Sequence, residues 1–226
     1  MVKLYLDTAS PTEAEAKLVQ GFTTNPTLMR KAGVTSYMEW AKDLCARFPH
    51  HSISFEVVAD DFDEMASQAR RISKWGQNVY VKIPVVNTEG TFSGKLIKAL
   101  GKEGIKVNVT AVMTRKQITQ IVAMLSQHTT PAIISVFAGR IADTGIDPST
   151  IVGHAVKVTR QYRHVDVLWA STRQAFDVHF CAGADIITVS PEILNRLHLN
   201  GKDLDDYSRK TVVQFFNDAE SAGYTL

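Results

Sequence analysis

The chain has 226 residues, of which 45% are hydrophobic and 21% charged, and these ordinary globular values exclude a disordered or fibrous protein. Its 25 basic and 23 acidic residues give a formal net charge of +2, which provides no electrostatic footprint for nucleic acid or a membrane surface. We therefore expect small molecules or other subunits as partners.

The cysteines and the N-terminus indicate a reducing compartment. Cys45 and Cys181 lie far apart in the chain, without metal-ligand spacing, as in a protein whose thiols stay reduced. The N-terminus opens directly into the strand-like residues 3–6 without a signal segment, and no apolar run approaches about 18 residues. We expect a cytoplasmic protein. The seven histidines show no metal spacing, so no metal and no other cofactor is expected.

Short apolar segments alternate with longer helical segments along the whole chain. The pattern predicts strands at 3–7, 21–24, 52–57, 79–84, 106–111, 132–137, 165–171 and 185–190. It predicts helices near 11–19, 35–47, 61–75, 91–103, 114–127, 148–162, 172–181 and 205–221. Eight strand–helix repeats predict an α/β fold, a single (β/α)8 TIM barrel domain over residues 1–226. An open doubly wound sheet, the alternative, would normally have a glycine-rich turn after its first strand, and residues 7–11 contain no glycine.

The last predicted helix, near 205–221, is an addition to the barrel. It carries Val212, Val213, Phe215, Phe216 and Ala219. This is more apolar surface than a free terminal helix should expose. We expect the helix to pack on the barrel or on a neighbouring subunit.

The fourth predicted strand contains a single lysine. In this strand Val79, Val81 and Ile83 share one face, and Lys82 lies on the other. Lysine is almost never fully buried without a partner. A solvated or salt-bridged ammonium is therefore the alternative to a functional amine at this position.

Other predicted strands show the same separation into an apolar face and a face that ends in a polar group. In the seventh strand, the face with the polar end carries Trp169 and Ser171. In a barrel this face should point inward, and active sites gather at the carboxyl-terminal mouth. Polar filler satisfied by mutual hydrogen bonds is the alternative, which we disfavour because each unpaired buried polar group costs about 1–3 kcal/mol. The predicted ring consists of Asp7, Asn25, Glu56, Lys82, Asn108, Thr110, Ser135, Arg140, Ser171 and Arg173.

A lysine between two carboxylates in such a cavity is suited to covalent amine catalysis. Desolvation favours the neutral, nucleophilic form of Lys82, whereas Asp7 and Glu56 favour its ammonium, so the sequence leaves its charge state open. An iminium formed with a ketone is an electron sink that allows the adjacent carbon–carbon bond to break. The carboxylates can then move protons, one of them through a water held by Thr110.

Two arginines follow the sixth and seventh predicted strands. Arg140 and Arg173 lie where barrels usually bind phosphate, and the Ser171 hydroxyl lies close by in sequence. Guanidinium groups bind phosphate bidentately. We expect a phosphate site here rather than two ordinary loop arginines.

Seven motifs, spread over nearly the whole chain, resemble those of the transaldolase family. They are Leu6-Asp7-Thr8, Thr23-Thr24-Asn25-Pro26, Phe55-Glu56-Val57, Val81-Lys82-Ile83-Pro84, Asn108-Val109-Thr110, Phe137-Ala138-Gly139-Arg140 and Ala170-Ser171-Thr172-Arg173. The length resembles the short branch of the family, which also contains fructose-6-phosphate aldolase and whose members are commonly ring-built decamers. The resemblance implies sugar phosphates as substrates and a homo-oligomer, such as a decamer.

The resemblance also implies a role for each residue of the ring. Lys82 would form a Schiff base with the ketose, and Asp7 would take the proton from its 4-hydroxyl group. Glu56 and Thr110 would hold a water for proton relay. The dihydroxyacetone fragment would bind to Asn25, Asn108 and Ser135, and the phosphate to Arg140, Ser171 and Arg173.

Two positions distinguish the branches of the family. The chain resembles transaldolases in having Glu56 and Phe137, where the aldolases have Gln and Tyr. Phe137, which would also line the substrate site, lacks a hydroxyl group for protonation and release of the three-carbon unit. Val136, where longer transaldolases often have proline, departs from the pattern. We therefore expect a transaldolase. An aldolase that releases dihydroxyacetone and a non-catalytic sugar-phosphate-binding barrel are the alternatives.

Overall fold

A computed structural model describes residues 2–225, and it contains eight parallel strands that close into a barrel in chain order. The last strand pairs with the first, since Lys3 lies opposite Ile186 and Leu6 opposite Val189. The prediction of a (β/α)8 TIM barrel with a C-terminal helix is confirmed. The strands are β1 (Lys3–Asp7), β2 (Gly21–Thr23), β3 (Ser52–Glu56), β4 (Val79–Pro84), β5 (Val107–Val112), β6 (Ala132–Val136), β7 (Val165–Trp169) and β8 (Ile186–Val189).

Ten helices lie between or after the strands along the described part of the sequence. They are α1 (Glu13–Ala16), α2 (Pro26–Lys31), α3 (Tyr37–Arg47), α4 (Phe62–Ile72), α5 (Gly94–Lys102), α6 (Arg115–Leu125), α7 (Ala138–Ala142), α8 (Ser149–Thr159), α9 (Pro191–Arg196) and α10 (Leu204–Ala222). Short 3₁₀ turns occupy Ala175–Val178 and Leu197–Leu199. No helix within residues 2–225 is long and apolar enough to cross a membrane. The cytoplasmic location stays a prediction.

Two compact units divide the chain between Leu194 and Asn195. The first contains all eight strands, and the second contains α10. The single domain over 1–226, whose terminal residues Met1 and Leu226 lie outside the described range, stays a prediction. The docking of the last helix onto the barrel or a neighbouring subunit also stays one.

The predicted helix at 172–181 is wrong. This segment forms only the 3₁₀ turn at Ala175–Val178. The Asp177 carboxylate accepts hydrogen bonds from the backbone N–H groups of Arg173 and Gln174, and Ser171 has a left-handed φ of 61°. These local bonds compete with the helical pattern, as short acidic side chains often do.

The predicted positions of several short helices also differ from those in the structure. The first helix covers only Glu13–Ala16 instead of residues 11–19, and α2, α7 and α9 lie in segments where none was predicted. A start signal for α2 is present in the sequence, because Asn25 caps the helix and Pro26 occupies its first turn. Helices of one or two turns are too short for the period of 3.6 residues to emerge.

The expected orientation of β7 is also wrong. Ser135 lies opposite Leu168 and Val136 opposite Trp169, so Leu168 shares the inward face of Ser135 while Trp169 points outward. Trp169 lines a separate hollow beside Phe176, outside the central cavity. An inward Trp169 would displace Leu168 from the packed layer of the barrel interior.

Side chains fill the interior below the carboxyl-terminal mouth. Tyr5, Ile133, Leu168 and Ile186 form one buried cluster with Ala170, and Tyr80 and Phe137 pack against it. The Tyr5 ring takes the space beside Gly21, where an added Cβ would approach the ring to 2.7 Å. The filled layer therefore forms the floor of a cavity that opens at the mouth.

Candidate active site

A cavity of about 400 Å³ lies at the carboxyl ends of the strands. Barrel enzymes place their active sites at this end. Two predicted residues, Asn108 and Arg173, are absent from its lining. The lining residues are Asp7, Thr23, Asn25, Pro26, Thr27, Leu28, Glu56, Lys82, Thr110, Ala111, Ser135, Phe137, Arg140, Leu168, Ala170, Ser171 and Thr188.

Lys82 is the buried cationic side chain of this cavity, with 5% of its surface exposed. Its Nζ donates a hydrogen bond of 2.7 Å to the carbonyl oxygen of Thr24. It also lies 3.1 Å from Oε2 of Glu56, its neighbour across the β3–β4 pairing. Lys82 is therefore salt-bridged, as the alternative to a functional amine required, but the ion pair lies inside the cavity and not on the surface.

Asp7 ends β1 on the inward face and lines the same cavity. Its Oδ1 accepts a hydrogen bond of 2.7 Å from Thr23. Burial raises the pKa of the Asp7 carboxyl, and the negative charge of Glu56 adds to this rise. The hydrogen bond from Thr23 and the positive charge of Lys82 oppose it. Asp7 is thus a carboxylate whose basicity is increased by its surroundings.

Thr110 has a buried hydroxyl group with no hydrogen-bond partner among residues 2–225. It lies in β5 beside an irregularity, because the pairing with β6 shifts register between Val109 and Val112. Ala111, at the shift, has a φ of 60°, which is uncommon for a residue with a Cβ. An unpaired buried hydroxyl is costly, and in the lining of a cavity it is available to a ligand or a water.

Asn108 and Ser135 form a hydrogen-bonded chain in the barrel interior. The Ser135 hydroxyl donates to Oδ1 of Asn108 over 2.7 Å, and Nδ2 of Asn108 donates to the Ser54 hydroxyl over 3.1 Å. Asn108 is fully buried, and Ser135 lines the cavity. Asn108 therefore reaches the cavity only through Ser135 in this conformation.

Asn25 lines the cavity while it caps α2. Its Oδ1 accepts a hydrogen bond of 3.0 Å from the backbone N–H of Leu28. This bond fixes the side chain at the entrance of the helix and places Leu28 at the cavity wall. The capping role leaves the Nδ2 group of Asn25 as its donor toward a ligand.

Arg140 and Ser171 both line the cavity, and they follow β6 and β7 in the sequence. Gly139, next to Arg140, packs so tightly on the Ser171 carbonyl oxygen that an added Cβ would lie 1.6 Å from it. Only glycine is compatible with this approach. The contact brings together the two loops that contribute the Arg140 guanidinium and the Ser171 hydroxyl group to the cavity.

Arg173 does not line the cavity, although the sequence placed it in the phosphate set. Its Nε donates to Oδ1 of Asp143 over 3.1 Å, and its Nη2 donates to Oδ2 over 2.5 Å. These hydrogen bonds lower the pKa of the Asp143 carboxyl and raise the pKa of Arg173. Arg173 lines the outer hollow with Trp169. In this conformation Arg140 is the arginine of the cavity wall.

Sequence reasoning missed several residues of the lining. Thr23 and Thr188 point inward from β2 and β8, Leu168 points inward from β7, and Ala170 lines the cavity just after this strand. The alternation of β2 and β8 would have identified both threonines, because each lies two residues from another inward position. Within the described residues, no group of three His, Cys, Asp or Glu side chains could hold a metal ion.

Comparisons with known proteins relate the chain to one family. A family model described as Transaldolase/Fructose-6-phosphate aldolase matches residues 4–225. A "Probable transaldolase" of Dehalococcoides mccartyi is 35% identical over 203 residues, which cover 87% of this chain and 90% of that protein. A "Probable transaldolase" of Hyphomonas neptunium is 34% identical over 229 residues, which cover 98% of this chain and 99% of that protein.

Solved structures show the same fold at low identity. A 3-keto-L-gulonate-6-phosphate decarboxylase from Vibrio cholerae has a TM-score of 0.54 with 13% identity and covers 84% of this chain and 87% of that one. A 3-hexulose-6-phosphate synthase has a TM-score of 0.55 with 13% identity, and the match covers 84% of this chain and 90% of that one. These matches support the barrel architecture alone.

The unpaired Thr110 hydroxyl leads to a prediction about stability. Thr110→Val removes no hydrogen bond within the protein, so its free energy of unfolding should stay unchanged or rise by up to about 1 kcal/mol. Ser135→Ala removes the bond to Asn108 and should lower the free energy of unfolding by about 1 kcal/mol. Urea unfolding of both variants measures the difference. An equal loss in the two variants would mean that Thr110 has a partner in solution that holds the fold.

Proposed function

The chain belongs to the Transaldolase/Fructose-6-phosphate aldolase family, and from this premise we propose that it is a transaldolase that acts through a Schiff base on Lys82. The enzyme moves a dihydroxyacetone unit from a ketose phosphate, of the fructose 6-phosphate or sedoheptulose 7-phosphate type, to an aldose phosphate. The observation that carries the proposal is the buried Lys82 amine, 3.1 Å from Glu56 in a cavity that also contains Asp7. No cofactor is needed for this chemistry.

The first step is the formation of the Schiff base. The neutral Lys82 amine adds to C2 of the ketose, and the C2 oxygen leaves as water. Glu56 lies close enough to accept the proton that the Lys82 ammonium must lose. Its carboxyl group and the unpaired Thr110 hydroxyl hold the water through which protons reach and leave the C2 oxygen.

The second step breaks the bond between C3 and C4. Asp7 takes the proton of the C4 hydroxyl, and the released O–H electron pair forms the aldehyde carbonyl. The C3–C4 electron pair forms an enamine, while the iminium electrons move onto the Lys82 nitrogen. The aldose leaves, a second aldose binds, and the reverse steps join it to C3.

The remaining lining residues hold the substrate. Asn25 and Ser135 bind the hydroxyl groups of the dihydroxyacetone unit, and Asn108 orients Ser135 through its 2.7 Å hydrogen bond. Arg140 and Ser171 bind the phosphate. Arg173 joins them by exchanging the Asp143 carboxylate for the phosphate, which keeps its guanidinium paired with an anion.

Phe137 supports transfer over release. Its ring lines the cavity and has no group that can donate a proton to C3 of the enamine. The enamine therefore persists until an aldose arrives. The alternative, an aldolase that releases free dihydroxyacetone, needs a donor close to C3. A non-catalytic sugar-phosphate-binding barrel is disfavoured because it has no need for a buried lysine beside a carboxylate.

We also propose that the protein is a homo-oligomer, such as a decamer. Helix α10 has no buried residue within its described part, and Val212, Phe215 and Phe216 are each more than half exposed. Their spacing of three and four residues places them on one side of the helix. An apolar side of this kind is usually covered by another chain.

Reductive trapping tests the covalent step. Borohydride added with fructose 6-phosphate should fix an adduct on the peptide that contains Lys82, as measured by mass spectrometry. Lys82→Arg should give no adduct and lose about 10³-fold or more in turnover, because guanidinium stays protonated. Lys106→Arg, whose lysine donates to the Gln77 carbonyl away from the cavity, is the matched control and should retain both. An adduct on another lysine, or none, would contradict the proposal.

The requirement for an acceptor distinguishes transfer from release. With fructose 6-phosphate alone, we expect at most one equivalent of glyceraldehyde 3-phosphate per site, and continuous turnover only after erythrose 4-phosphate is added. Phe137→Tyr supplies a hydroxyl donor and should allow turnover without acceptor, whereas Phe137→Leu should not. Rapid release of dihydroxyacetone by the unaltered enzyme would favour the aldolase.

The oligomer proposal concerns the apolar side of α10. Phe216→Glu combined with Val212→Glu should lower the molar mass measured by light scattering, because a carboxylate would be buried in the interface. Gln214→Glu places a single carboxylate at an exposed polar position of the same helix and should leave the molar mass unchanged. A monomeric unaltered protein at micromolar concentration would refute the proposal.

A further inference from the structure

Two threonines that have been given no role so far flank Asp7 inside the barrel. Thr23 belongs to the Thr23-Thr24-Asn25-Pro26 motif, and Thr188 lies outside the seven motifs. Strand β1 lies between β2 and β8, and Thr23 and Thr188 point inward from these two neighbours. Both are buried, with 4% and 3% of their surface exposed. The Thr23 Oγ1 lies 2.7 Å from Oδ1 of Asp7 and 2.7 Å from Oγ1 of Thr188.

The direction of these hydrogen bonds follows from the number of protons. Ionised Asp7 can only accept, so Thr23 uses its one hydroxyl proton for Asp7. The bond between the two threonines must then be donated by Thr188. The result is a directed chain of hydrogen bonds from Thr188 to Thr23 to Asp7, and ionised Asp7 permits no other direction.

The hydrogen bonds from Thr188 to Thr23 to Asp7 also distinguish the two carboxylate oxygens of Asp7. Thr23 occupies Oδ1, and no other side chain in the described residues donates a hydrogen bond to Asp7. Oδ2 is therefore the oxygen that remains for a ligand. Because a carboxylate at a strand end can rotate, the bond from Thr23 decides which oxygen turns toward the cavity.

We propose that Thr188, acting through Thr23, is a positioning residue that keeps Asp7 oriented with Oδ2 toward the substrate hydroxyl. This inference rests on the proposed function. In the cleavage step the C4 hydroxyl proton moves to Oδ2, the C3–C4 bond breaks, and its electron pair enters the enamine on Lys82. The bond from Thr23 to Oδ1 is retained throughout, so the carboxyl group does not need to turn during the transfer.

The pKa of Asp7 depends on the charged groups near it as well as on the two threonine hydroxyl groups. Glu56 on β3 and Lys82 on β4 act on Asp7 in opposite senses, and β2 and β8 present only the two hydroxyl groups. Arg140 lines the same cavity beyond β6. The threonine chain favours the ionised form of Asp7 and thereby lowers its pKa against the effect of burial.

Isosteric substitutions test this inference. Thr188→Val removes the hydroxyl group and should slow single-turnover cleavage of fructose 6-phosphate by about 10-fold, since misplacement of a catalytic group has effects of this order. The acid limb of its pH profile should move to higher pH, because Asp7 loses part of its stabilisation as a carboxylate. Thr23→Val should show both effects more strongly, and Thr188→Ser should restore the profile.

The controls separate a positioning role from loss of structure. Thr159→Val removes a buried hydroxyl group that bonds to the Ala155 carbonyl in α8, and it should leave rate and pH profile unchanged. All variants should still form the borohydride adduct on Lys82 in the amount found for the unaltered protein. An unchanged cleavage rate and acid limb in Thr188→Val, with a normal adduct, would overturn the inference and leave the Schiff base intact. Absence of the adduct in the unaltered protein would overturn both.

Discussion

The structure depends on the contact that Lys82 makes inside the barrel. A buried ammonium without partners would cost several kcal/mol, and the protein meets this cost with the Glu56 carboxylate and the Thr24 carbonyl oxygen. These partners come from β3 and from the end of β2. The contact therefore requires three neighbouring strands in one register. Replacing the ion pair by apolar side chains would often be neutral or stabilising, so we attribute its presence to chemistry.

Closure of the barrel explains how residues distant in sequence reach this contact. β1 ends at Asp7, and the pairing of β1 with β8 and β2 brings Asp7 beside hydroxyl groups from both neighbours. The loops after β6 and β7 meet through Gly139 and the Ser171 carbonyl. The cavity thus combines an amine and two carboxyl groups, from β1, β3 and β4, with a guanidinium from the segment after β6. This combination suits a substrate that carries both a ketone and an anion.

The strands were predictable because each is a short apolar segment between helices, and every one lies within two residues of its predicted bounds. The longer helices were predictable for the same reason. The inward orientation of Lys82 was predictable from the alternation of side chains along β4, because Val79, Val81 and Ile83 had to face the helices. The orientation of β7 was not predictable in this way. Trp169 and Leu168 are both apolar, and only the pairing with β6 decides which of them points inward.

Arg173 shows what sequence reasoning could not provide. Its place after β7 is typical of a phosphate ligand, but its conformation depends on Asp143, 30 residues earlier. An ion pair between two loops leaves no periodic signal in either segment. Likewise, the link from Asp7 to Thr188 joins residues at opposite ends of the barrel sequence. Such contacts become visible only when the sheet is closed.

The packed floor of the cavity has a consequence for the order of events. Tyr5, Ile133, Leu168 and Ile186 close the barrel below Lys82, so molecules enter and leave on the side of the mouth. In the proposed mechanism, the first aldose must leave through this passage before the second can reach the enamine. The proposed transfer would then follow ping-pong kinetics, because the aromatic and aliphatic plug leaves the two aldoses one shared route.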